Sequence, residues 1–191
     1  MPNWTNEIPD DLRGGSLPLI RTPSTRPLKA IITSHNLIGC FTHFYGGHTI
    51  PCEQPDCKAC LEAIPSRWHG YVACYSFHSQ LHFIFEMTAA GAVPLQEYFR
   101  EHGTLRACSI EAYRWNKRTN GRVVIKAEPS ATPPSVLPQP PDIAKIMAMI
   151  WQLPKQNVNI LDESRIPAEI EAISRGNGQS ADPRLYSFPN P

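Results

Sequence analysis

Between Gly46 and Arg67 the chain reads GGHTIPCEQPDCKACLEAIPSR, with prolines at 51, 55 and 65 and cysteines at 52, 57 and 60. Proline fixes φ and removes a backbone donor, so no regular strand or helix runs through this stretch. It reads as an ordered excursion between regular elements. A tetrahedral zinc site needs four soft or borderline ligands, and two thiolates separated by two residues on a tight turn can point at one ion. Cys57 and Cys60 supply that pair, and Cys52 is placed as the third ligand across the turn of Gln54, Pro55 and Asp56. The fourth stays open: His43 ranks first, because Gly46 and Gly47 let the chain fold back, ahead of His48 and then Cys40. Four ligands leave no open coordination position, so the expected Zn2+ is structural. There is no H-E-x-x-H, and no H-x-E paired with P-C-x-x-C, so the sequence predicts a chain that is not an enzyme.

At 191 residues the chain is long enough for one domain with tails. Its formal net charge is +1, so any electrostatic footprint must come from local clustering. No basic segment leads into an apolar run at the N-terminus, and no stretch approaches the roughly 18 apolar residues of a membrane span. With six cysteines, three of them bunched, metal binding in a reducing, cytoplasmic setting and no membrane partner are expected. Twenty prolines are about twice average usage and mark the tails. Residues 1–27 read as a flexible N-terminal segment and 28–127 as the folded domain. The run PSATPPSVLPQPP has six prolines and no charge, making 128–141 a linker, and 142–191 carries a C-terminal helix and mobile tail.

Within 28–127 the apolar, β-branched run from Leu28 through Tyr45 predicts a long first strand with a bend. WHGYVACYSF and LHFIFEM predict strands two and three around a tight turn. Val93, Leu95, Tyr98 and Phe99 fall on one helical face closed by Gly103. TLRACSIEAYRWN and RVVIKAE give two more strands around Asn120–Gly121. The order β-β-β-α-β-β resembles the five-stranded OB-fold barrel, with the cysteine loop between strands one and two. SH3-like barrels share the strand count. The expected class is mainly β, and Cys74 and Cys108 are expected as core thiols.

Residues 104–126 hold six cations (Arg106, Arg114, Lys117, Arg118, Arg122 and Lys126) against Glu111 alone. Tyr113 and Trp115 are interleaved with them, and Trp68 and Tyr71 on strand two extend the aromatic set. Cations along a backbone and flat rings for bases are what a single strand asks for. The competing expectation is that the rings are core and the hairpin a charged edge.

One histidine ahead of three cysteines ending in C-x2-C, here His43, Cys52, Cys57 and Cys60, resembles the zinc site of single-stranded-DNA-binding proteins of T-even phages. The wording THFYGGHTIPCEQPDCKAC followed by RWHGYV is similar to small phage- and transposon-borne proteins. The resemblance implies non-specific binding of single-stranded nucleic acid, with single-stranded DNA the first expectation and DNA against RNA left open. The alternative is a zinc-stabilised adaptor, or a subunit of a nucleic-acid-handling effector complex of a phage or mobile element, docking a protein through the amphipathic helix 142–153. Asp142 caps that helix and Ile143, Ile146, Met147 and Ile150 share a face. Packing back on the barrel competes with partner binding. A second short helix is expected over 167–174.

Overall fold

The computed structural model describes residues 17–152 except 54 and 120, together with the two-residue strand 162–163. The described residues are mainly β. In chain order they form β1 (Leu19–Arg21), β2 (Leu28–Ile32), β3 (Ile38–Tyr45), β4 (His48–Pro51), α1 (Lys58–Leu61), β5 (Ser66–Ser76) and β6 (Leu81–Thr88). There follow α2 (Ala89–His102), β7 (Cys108–Arg114), β8 (Val123–Pro129), α3 (Ile143–Ile150) and β9 (Asp162–Glu163). The helix expected over 167–174 lies outside the described residues.

The long first strand does bend. β2 and β3 both run antiparallel to β5, through Ile32↔Cys74 and Ile38↔Tyr71, and are parted by Thr33–Leu37. The break stays docked on β5, because Thr33 N–H donates to the Ala73 carbonyl and the Ser34 hydroxyl accepts from Ala73 N–H. All strands belong to one sheet ordered β1-β6-β5-β2-β7-β8, with β3 along β5 and with β4 and β9 on β3. Among the described residues β8 pairs with β7 alone and β1 with β6 alone, so the sheet they form is open.

Side chains alternate across a strand, and the two faces bury different cores. On the inner face Ile32, Trp68, Val72, Phe83, Phe85 and Ile110 meet Ala92, Leu95 and Tyr98 of α2. That helix ends at Gly103, whose left-handed φ of 73° lets its N–H bond the Phe99 carbonyl. On the outer face Ile38, Cys40, Tyr71, Ala73 and Ile84 are covered by Ile143 and Met147 of α3. Because β5 is covered on both sides, Tyr71–Cys74 are all buried.

Two segments expected to be flexible are ordered by specific partners. Residues 19–21, part of the 1–27 segment, lie parallel to β6. Arg21 donates to both carboxylate oxygens of the buried Glu86, at 2.9 and 3.2 Å. The proline-rich linker is clamped by Arg106, whose guanidinium donates to the carbonyls of Thr33, Pro134, Leu137 and Pro138 at 2.6 to 3.2 Å. Proline-rich backbone has carbonyls to spare, and a five-donor guanidinium collects several at once. Asp142 then caps α3 by accepting from Lys145 N–H at 3.0 Å. α3 spans eight residues, shorter than the roughly 12–15 an isolated helix needs in water, so docking on the sheet sustains it. No helix among the described residues is long and apolar enough to cross a membrane.

Candidate metal centre

The β3–β4 hairpin turns at Gly46 and Gly47, whose φ of 58° and 87° side chains resist. The return pairs His43 with Ile50, and Cys52 N–H continues the ladder to the Phe41 carbonyl at 2.8 Å. Positions 50 and 52 face the same way, so this register brings Cys52 to the His43 side of the hairpin. The chain then enters the short helix α1 with Cys57 at its N-cap and Cys60 inside it. Ile64 N–H ties the far end of the lobe to the Ala59 carbonyl at 2.9 Å, and the Tyr45 hydroxyl donates to Glu62 at 2.7 Å.

His43 Nε2 and the three thiols of Cys52, Cys57 and Cys60 converge, with ligand atoms all within 4.8 Å of one another. Cys60 Sγ lies 3.5 Å from Cys52 Sγ and 3.4 Å from His43 Nε2. Metal–sulfur bonds of about 2.3 Å and a metal–nitrogen bond of about 2.0 Å place tetrahedral ligands about 3.5–3.8 Å apart, so these edges suit one ion. None of the six cysteines is in a disulfide. The His43 ring, 2 % exposed, donates Nδ1–H to the Ile64 carbonyl at 2.9 Å. That bond fixes the tautomer in which Nε2 carries the lone pair a metal takes.

Two of the three thiols are shifted, in opposite directions. Burial pushes Cys57 up, but the backbone N–H groups of Cys60, Glu53 and Ala59, with the Cys60 thiol, bring its pKa below the ordinary value. Cys52 is pushed up to about 12, by burial first and then by hydrogen bonds to Cys60 and Cys57. Three thiolates this close repel one another unless a cation sits among them. These four residues could bind a metal ion. Of the competitors for the fourth position, Cys40 is buried in the outer-face core and its thiol is raised to about 12 by burial, then by Cys52 and Glu86. His48 is exposed on the hairpin turn.

The nucleic-acid candidates separate into three groups. Trp115, 58 % exposed, and the exposed Lys117, Arg118 and Arg122 stand at the β7–β8 tip. There Trp115 N–H bonds the Arg122 carbonyl and Gly121 N–H the Arg118 carbonyl, both at 2.8 Å. Asn116 and Lys117 both take left-handed φ of 55°, uncommon for non-glycine residues. Gly121 is required there, since a Cβ would lie 2.4 Å from the Trp115 carbonyl oxygen. Arg114 and Lys126 are engaged: Arg114 donates to the Thr22 and Gly121 carbonyls, and Lys126 pairs with Glu111 at 3.8 Å.

Arg106, Trp68 and Tyr71 do not stand on an open platform. Arg106 is the linker clamp. Trp68 is 7 % exposed and points into the inner core, its indole against Gly39 and Gly70, where a Cβ would come within 2.2 and 2.6 Å of the ring. Tyr71 is fully buried on the outer face under α3. Cys74 and Cys108 are core thiols with no exposure. The sequence reading missed the buried polar group around Glu86, where Arg21 also reaches Thr49 at 3.1 Å and His69 Nε2 stands 3.9 Å away. The acid inside the apolar run FIFEM was its one visible signal.

No protein-family model matches this chain, and neither does any curated protein or solved structure.

Proposed function

We propose that the chain is a non-enzymatic binder of single-stranded nucleic acid whose metal lobe is held by a structural zinc on His43, Cys52, Cys57 and Cys60. Three thiols and one imidazole suit zinc, and a full set of protein ligands leaves no position for a substrate. The observation that carries the binding reading is the β7–β8 tip, where Lys117, Arg118 and Arg122 surround the exposed Trp115 ring. Exposed cations meet a phosphate backbone, and the exposed ring beside them offers a stacking surface.

The strand path supports an OB-fold-like reading. β6, β5 and β2–β3 form a meander, β7–β8 add to the free edge of β2, and α2 lies between β6 and β7 against the inner face. In that fold the loop between strands one and two and the loop between strands four and five flank the ligand. Here they correspond to the metal lobe and the basic tip, leaving a barrel open between β1, which lies on the far edge of β6, and β8.

The reading is tested by fluorescence anisotropy of labelled oligothymidylate, a duplex and an RNA across a salt series. The expected result is a preference for the single strand, with log affinity falling by about 0.7 per contacted phosphate for each unit of log salt. Absence of salt-sensitive binding at about 50 mM salt removes the reading.

A further inference from the structure

The outer face of the sheet carries a row of rings. Tyr71 and Tyr75 are four residues apart on β5 and so share that face, opposite Glu86 and His82 on β6. Tyr75 meets the His82 ring at 5.1 Å and Phe77 at 5.2 Å, both edge to face. Over Tyr71 the row is occupied by α3. Ile143 and Met147 are buried there, and Trp151 meets the tyrosine ring edge-on with centroids 5.7 Å apart.

This cover has features of a removable one. Tyr71 Oη is buried with no hydrogen-bond partner among the described residues, a costly state that uncovering would relieve. Beside Lys145, α3 also turns apolar side chains outward, with Met149 61 % and Ile150 38 % exposed, which leaves part of its apolar surface without a partner. Its tether is held by the Arg106 guanidinium, by the buried Leu137 side chain and by the bond from Ser130 N–H to the Ala107 carbonyl, a small set of contacts to break.

On the reading that the chain binds a single strand, we propose that Tyr71, Tyr75 and His82 form a base-stacking row, and that α3 occupies it when no strand is bound. Helix and strand then compete for one face. A helix docked about ten times as often as it is released weakens apparent binding about ten-fold, because only the uncovered fraction is competent. Trp151 stands edge-on to Tyr71 where a base would lie flat on the ring, so the helix must leave before a base can stack there.

The test uses the full chain. Met147→Gln with Trp151→Ala should bind labelled oligothymidylate about ten-fold more tightly than the wild type, and oligothymidylate should speed amide exchange across residues 143–150 of the wild type. Arg106→Ala discriminates by sign: loss of a phosphate contact weakens binding, and release of the linker strengthens it. Unchanged or weaker binding by a double variant that still unfolds cooperatively overturns the proposal. So does exchange across 143–150 that slows on adding the strand, which decides the matter even if the variant does not fold. If the wild type binds and loses that binding on replacing Lys117, Arg118 and Arg122, while the helix variants change nothing, only the competition is wrong. If wild type and double variant both ignore the oligonucleotide, the single-strand reading itself falls, and this proposal with it.

Discussion

Chelating the proposed zinc, or replacing Cys57 with Ser, is expected to unfold residues 52–64 while the sheet remains standing. The lobe has almost no core of its own: Cys57 and Ala59 are buried, but Leu61 is 78 % exposed and α1 is a single turn. Its shape rests on the four converging ligands and on a few backbone bonds at its ends. Structural zinc contributes about 10–16 kcal/mol in small zinc domains, and that binding energy is folding energy. Losing even about 3 kcal/mol of it raises the open population about a hundred-fold, and cleavage of a transiently open segment follows that population. Tryptic cleavage at the exposed Lys58 should therefore accelerate by about that factor, with fast amide exchange confined to the lobe. The sheet is built from separate contacts, the inner core of Val72, Phe85 and Leu95 among them, and should keep its protection. Unchanged cleavage after chelation would mean that the lobe holds itself together without a metal.

The second large effect is expected at the basic tip. Replacing Lys117, Arg118 and Arg122 together with Ala should leave folding intact, since all three are exposed. Three lost phosphate contacts should lower the salt slope by about 2 and weaken binding about a hundred-fold or more at low salt. Arg114→Ala is a different kind of change, because Arg114 bonds the Thr22 and Gly121 carbonyls and shapes the loop from behind. A triple variant with wild-type affinity and slope would assign the tip a purely structural role.

Much of this arrangement was legible in the sequence, for identifiable reasons. The bent first strand, the two aromatic strands, the helix closed by Gly103 and the last hairpin each carried a local periodic or turn signal. So did the metal ligands, because C-x2-C spacing and a Gly-Gly return are local chemistry, and the structure brings together the four residues ranked first. What was not legible depends on distant partners. β1 is three residues of a proline-rich stretch and pairs with a strand some sixty residues away. β4 ends at Pro51, which weighed against a strand, yet a hairpin arm tolerates proline at its end. Arg106 read as one more cation of a basic hairpin, because nothing local distinguishes a guanidinium that will collect carbonyls from one facing solvent. The cover over Trp68 and Tyr71, both buried here, was hard to read for a related reason. YVAC is continuously apolar where a one-sided strand would alternate, and such runs indicate cover on both faces. That pattern, set beside the apolar helix after Asp142, was the available sign that the tail would pack back on the sheet.

The central claim is a closed, structural zinc centre, and X-ray absorption at the zinc edge tests it most directly on protein purified without added metal. The account predicts one zinc per chain, with three sulfur neighbours at about 2.3 Å and one nitrogen at about 2.0 Å. A protein carrying no zinc, or a zinc surrounded mainly by oxygen, would contradict it.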